Sequence, residues 1–199
     1  MSEPSAENRR HLVAQVVASV DPKLQQALQG ALSSPGPCPR PRDTQTVVIA
    51  GHRAAGKTRL LPLVSKLLGR TGLDLDSELE RRHGRALRTW VAESPSTFRA
   101  AERETLGLLP GGSVVSVGGG FLSHHPDALQ GHFTLVVPVT FDTYRERLTA
   151  DTTRPRLRAD VSLEEELHSM FHEREALHAR VPTISLADFL RGCLAQEST

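Results

Sequence analysis

The sequence predicts an α/β fold of three layers, with a parallel five-stranded sheet between helices, on three observations. Val47-Val48-Ile49-Ala50 and residues 113–117 are short runs rich in valine and isoleucine without polar alternation, the pattern of strands buried on both faces. Such runs alternate with segments of helical period, as the crossovers of a parallel sheet require. The first run leads at once into a glycine loop and then a helical stretch.

The 199 residues suffice for one such unit plus an appendage, and are too few for two full domains. Apolar residues make up 38% and charged residues 24%, so a packed core is expected; with aromatics at 4% it must be largely aliphatic. A net charge of +1 gives no electrostatic case for a nucleic-acid or anionic-membrane partner. No apolar run approaches the roughly 18 residues of a membrane span. The opening MSEPSAENRR has no apolar signal-type stretch, so the expected location is cytoplasmic. Two cysteines, Cys38 and Cys193, make neither a disulfide framework nor a zinc site.

Residues 1–45 read as a helical extension and linker, and residues 46–199 as the main domain. Leu12, Val13, Val16, Val17, Val20, Leu24 and Leu28 recur at spacings of three and four. Asp21-Pro22 should split this stretch into two short helices, Asp21 capping and Pro22 opening the second. The Pro-rich residues 33–43 read as linker. The extension is short for an independent domain, so it should pack on the main domain or on a second copy; a monomer is expected, with these helices the route to any dimer.

In the main domain the strand at 47–50 is followed by a helix from Lys57 to Leu68. Residues 72–75 can end a second strand, and 76–109 read as successive helices punctuated by Gly84 and Pro95, with Trp90 packing between them. Strands at 113–117 and 134–137, helices over 141–149 and 162–180, a last strand at 183–186 and a last helix at 187–195 complete the pattern. Glu164, Glu165 and Glu166 fit the first turn of a helix capped by Ser162.

Gly51-His-Arg-Ala-Ala-Gly56-Lys57-Thr58 fits G-x-x-x-x-G-K-[ST] at every fixed position, between a strand and a helix. In such a loop, backbone N–H groups from Gly51 through Ala54, Ala55 and Gly56 cradle phosphate oxygens at the positive end of the helix, with Arg59 in its first turn. Lys57 places an ammonium on the β/γ-phosphates and Thr58 a hydroxyl on Mg²⁺. Only three of the 24 basic residues are lysines, and one of them occupies this position. The expected fold is therefore a three-layer P-loop NTPase fold. No apolar run ends in the aspartate that usually completes the Mg²⁺ shell; the second buried strand has Ser116 instead, which argues against a motor ATPase or regulatory GTPase. Asp74 and Asp76 follow the second strand, near the rim where ligands of open α/β sheets bind. One carboxylate near Mg²⁺ and one near an acceptor hydroxyl is what a small-molecule kinase needs. Asp76 as a cap of the following helix is the bland reading, and the two are compatible.

Asp74-x-Asp76, Glu80, Gly84, Phe98-Arg99-x-x-Glu102, Gly118-Gly119-Gly120, Arg154-Pro155 and Glu173-Arg174, in this order and spacing, resemble the shikimate kinase family over about residues 46–186. The resemblance implies ATP-dependent phosphorylation of shikimate at its 3-hydroxyl. ATP and Mg²⁺ are the implied cofactors. It assigns the phosphates to Lys57, Arg147 and Arg154, and the Mg²⁺ shell to Thr58, Asp74 and, through water, Ser116. Asp76 would hold the acceptor's hydroxyls and orient, or deprotonate, the attacking one. Arg99 and Arg174 would grip the acceptor's carboxylate, Glu102 would orient Arg99, and Gly118, Gly119 and Gly120 would line the substrate. Residues 150–161 would form a lid carrying Arg154. Taken singly, Arg99 and Glu102 are also a plain i,i+3 helix pair, and Arg174 a solvated arginine.

The chain departs from the family pattern in four places. Ala54 replaces a usual glycine, and a negative φ there would accommodate it. Arg156 adds charge to the lid. Ala176 and His178 stand for the usual proline and tyrosine. Leu186 runs almost directly into the last helix, so the loop that lies against adenine in the family is shortened. The shortened loop and the extra helices keep a second class open, a ligand-sensing module on the same fold; a kinase of another hydroxy acid is a third. The histidine pairs 124–125 and 168–172 offer no third metal ligand and read as solvated surface.

Overall fold

The computed structural model describes residues 4–151, 158 and 160–195. Helices α1 (Ala6–Ser19) and α2 (Pro22–Ser33) precede strand β1 (Val47–Ala50) and helix α3 (Lys57–Leu68). Strand β2 (Gly72–Asp74) runs into α4 (Leu75–His83), α5 (Leu87–Glu93) and α6 (Pro95–Leu108). Strand β3 (Val114–Ser116) is followed by α7 (Phe121–His124) and a 3-10 turn at Pro126–Leu129. Then come β4 (Phe133–Val136), α8 (Phe141–Ala150), α9 (Leu163–His178), β5 (Ile184–Ser185) and α10 (Leu186–Leu194). No described helix is long and apolar enough to cross a membrane.

All five strands are parallel, in the order β2-β3-β1-β4-β5. Side chains alternate across the sheet. Val47 and Ile49 face a core shared with α1, α3, α9 and α10, through Val16, Leu60, Phe171 and Leu190. Val48 and Ala50 face a second core with Leu75, Leu79, Trp90 and Phe121 of α4, α5 and α7. This is the expected α/β sandwich of three layers.

The N-terminal helices pack on the sheet unit, α1 against α3 and α10, and α2 against α10. Asp21 ties this corner down. It caps α2 by accepting from Lys23 N (3.0 Å), and accepts from Thr140 N (2.7 Å), Thr140 Oγ1 (2.6 Å) and Thr143 Oγ1 (2.9 Å) at the start of α8. Burial alone would raise its carboxyl, but these hydrogen bonds hold it below the usual carboxylate range.

Residues 121–132, which carry no clear period in the sequence, form α7 and the 3-10 turn. The join between the last strand and helix has no residues to spare: Ser185 ends β5 and caps α10, its Oγ accepting from Asp188 N at 3.1 Å.

Candidate active site

Strand β1 ends at Ala50, and the chain turns through residues 51–56 before α3 begins at Lys57. Gly51 has φ +135°, and a Cβ there would lie 2.8 Å from Val137 O, just past the end of β4. Gly56 has φ +97°. Ala54 has φ +58°, the only non-glycine residue with positive φ among those described. This corrects the expectation of a negative φ: the loop needs a left-handed residue here, and alanine takes that conformation with strain. Arg147 of α8 holds the turn by donating from Nη1 to Ala54 O at 2.6 Å.

Lys57 is buried, and its Nζ donates to Gly51 O (3.1 Å) and His52 O (2.7 Å), so the ammonium lies folded into the loop. Thr58 and Arg59 are exposed at the start of α3. Ala55 is fully buried behind the loop. His52 is buried as well, stacked on Phe171 with 4.3 Å between centroids and 4.8 Å from His178. Burial above all, and then the electrostatic influence of His178, Arg174 and Lys57, push its pKa down to about 3, so the ring adds no positive charge beside Lys57.

The strand order brings the acidic residues to this loop. Because β3 lies between β2 and β1, Asp74 pairs in register with Ser116, which pairs with Ile49. The cap of α4 is Asp74, with Oδ1 accepting from Ser77 N at 3.0 Å; Asp76 lies within the first turn, which corrects the reading of Asp76 as the cap. Arg53, Gly56, Lys57, Thr58, Arg59, Asp74, Asp76, Ser116, Gly118, Gly119 and Arg147 line one cavity of about 430 Å³.

The glycine triplet forms its far wall. A Cβ on Gly118 would meet Asp76 Oδ1 at 3.4 Å and Glu102 Oε1 at 3.5 Å, and one on Gly119 would strike Arg53 N at 2.7 Å. Only glycine lets these two loops touch. Gly120 faces His124 and Arg174 Nη2. Arg174 is buried rather than solvated, and its Nη1 has no hydrogen-bond partner among the described residues. Arg99 is exposed on α6.

Glu102 differs from its expected role. Its hydrogen-bond partner is His125 Nε2, at 3.3 Å, and Arg99 acts on it only through its charge. Burial, and then the charge of Asp76, push Glu102 up to about 8. His125 is buried, which corrects its reading as surface; the pairing that buries it spans 23 residues and leaves no local trace in the sequence. His168 and His172 are exposed, as expected. Among the described residues no group of three or more His, Cys, Asp or Glu side chains could hold a metal ion. Arg154 and most of the expected lid lie outside the described residues.

Fold and site together define a P-loop protein, with a phosphate-type loop and an acidic and basic wall facing one cavity. The family model for shikimate kinase matches residues 53–189, and the chain belongs to the shikimate kinase family. It is 37% identical over 82 residues to a shikimate kinase of Chlorobium limicola, a match spanning 40% of this chain and 41% of that one. It is 27% identical over 142 residues to one of Bacillus licheniformis, spanning 68% and 80% respectively. A shikimate kinase structure from Acinetobacter baumannii, solved in complex with shikimate, superposes with a TM-score of 0.64 at 24% identity, covering 78% of this chain and 93% of that one. One from Bacteroides thetaiotaomicron gives 0.60 at 20%, covering 77% and 96%. At these identities the structures establish the fold.

Proposed function

We propose that this protein is an ATP-dependent kinase that phosphorylates shikimate at its 3-hydroxyl. One observation carries the reading: the phosphate loop and Asp76 line one cavity, with the glycine triplet leading from them to Arg174. Family membership and the shikimate-bound relative support the choice of acceptor.

In this reading Lys57 leaves its loop carbonyls to neutralise the transferred phosphoryl group together with Arg147; Arg154, outside the described residues, is assigned to the phosphates by the family resemblance. Asp76 holds the attacking hydroxyl in line and accepts its proton. Arg99 and Arg174 bind the carboxylate, as guanidinium forks suit a planar anion. Thr58, Asp74 and Ser116 suit Mg²⁺, which takes few protein oxygens and keeps water and phosphate ligands. That ion would supply charge neutralisation at the phosphates. Alignment and charge account for the catalysis, because phosphoryl transfer asks little covalent chemistry of the protein.

A coupled assay of ADP release, with Mg²⁺ and with or without shikimate, tests this. Release should require shikimate and be lost in Lys57→Ala and Asp76→Asn. The direct join at Ser185–Leu186 favours a second reading, a sensor with weak nucleotide binding. Its mark is no turnover together with a melting temperature raised by shikimate.

A further inference from the structure

The acceptor wall holds a side chain to which that reading assigns no role. A Cβ on Gly120 would lie 3.5 Å from His124 Nε2 and 3.7 Å from Arg174 Nη2, so an imidazole nitrogen and a guanidinium nitrogen converge over one bare backbone position. The convergence is built locally. His124 N donates to Gly120 O at 3.1 Å, which folds the one-turn helix α7 back over the triplet. The next residue, His125, is fastened to Glu102 of α6, holding α7 in place. His124 itself belongs to neither core and is exposed.

Building on the acceptor reading above, we propose that His124 is a specificity-determining residue of the acceptor site, donating from its ring to the acceptor's carboxylate beside Arg99 and Arg174. A carboxylate presents about four lone-pair directions, more than two guanidinium contacts exhaust. Partial burial of the ring first, and then Arg99 of α6, Arg174 of α9 and the adjacent His125, push His124 down to about 4. At neutral pH the ring is therefore a neutral donor. It adds a hydrogen bond between two arginines without adding to their repulsion, and an arriving anion meets three donors rather than two.

The test is steady-state kinetics of wild type, His124→Ala and His124→Gln with shikimate and with its neutral carboxamide. His124→Ala should raise KM for shikimate roughly ten- to a hundredfold, the size of one hydrogen bond to a charged group, with kcat and KM for ATP within about twofold. His124→Gln, which keeps an N–H donor, should recover most of the loss. KM for the carboxamide, whose oxygen is a weaker, uncharged acceptor, should move much less between wild type and variants. An unchanged KM for shikimate, an equal shift for the carboxamide, or a parallel fall in kcat would each overturn the assignment. Wild-type protein that turns over no shikimate overturns the acceptor reading itself, whereas active wild type with indifferent variants overturns only the role of His124.

Discussion

The phosphate side and the acceptor side of the cavity are built by opposite means. The phosphate side is built around one contiguous stretch, residues 51–58, whose geometry is set by backbone angles at Gly51, Ala54 and Gly56. The acceptor side is gathered from α4, α6, the glycine triplet with α7, and α9, whose contributing side chains are separated by as much as a hundred residues of chain. A contiguous loop carries its chemistry in its spacing. A gathered wall exists only once strand β3 has inserted between β2 and β1.

The largest expected effect lies on the phosphate side. Lys57→Ala should cost at least about 10²–10³ in kcat, as losing one placed charge on a transition state does, while the melting temperature moves little. Single-turnover kinetics beside calorimetry separates the two. If turnover survives, the loop is not the seat of phosphate binding, and the contrast between the two sides fails.

Next comes Asp21, which shows that the contiguous loop depends on a distant support. Ser19 O lies 3.8 Å from where a Gly56 Cβ would stand, and Asp21 fixes the start of α8, the helix whose Arg147 holds Ala54 O. Asp21→Ala removes the acceptor of three buried or partly buried donors and uncaps α2, and should cost about 2–3 kcal/mol by denaturant unfolding. Because the folded carboxyl titrates below its unfolded value, its contribution is present above about pH 4 and is lost as pH falls through the folded pKa. The difference between wild type and variant should therefore shrink in acid.

The two sides also differ in legibility. The strands, the split at Asp21-Pro22 and the loop could be read from valine runs, a cap and a motif, because each is a local signal. The cap of α4 is not legible locally, since Asp74 and Asp76 are equally good caps and only the end of β2 decides between them. Glu102 looked like a partner of Arg99 at helical spacing, but burial against α7 gives it to His125. Arg53 passes unnoticed as a variable loop position, although it packs against Gly119 and joins the two sides.

A smaller effect probes the acceptor side through pH. Glu102 in the folded protein keeps its proton up to about pH 8, whereas in the unfolded chain it releases it near 4.5. Between these values the folded state binds more protons, so this group makes stability fall as pH rises, until the slope ends above pH 8. Glu102→Gln keeps the shape of the neutral acid and should flatten the decline of melting temperature between pH 6 and 8. An unchanged slope would mean that Glu102 is ionised in the folded protein, and that Asp76 and Glu102 share the wall as two anions.

The smallest effect is the most discriminating for the phosphate loop, because its sign is at stake. With φ at +58°, Ala54 carries about 1–2 kcal/mol of left-handed strain that glycine does not feel. Glycine also loosens the unfolded chain, which takes back roughly 0.4–1 kcal/mol. Ala54→Gly should therefore stabilise by about 0.5 kcal/mol, a rise in melting temperature of about 1–2 °C in a protein of this size. Were the loop to hold Ala54 at negative φ, only the unfolded-state term would remain and the melting temperature would fall instead. Calorimetry on the two proteins thus reads the backbone angle through a sign. A fall would also undo the explanation of why Arg147 must bond Ala54 O, since an unstrained turn needs no such clamp.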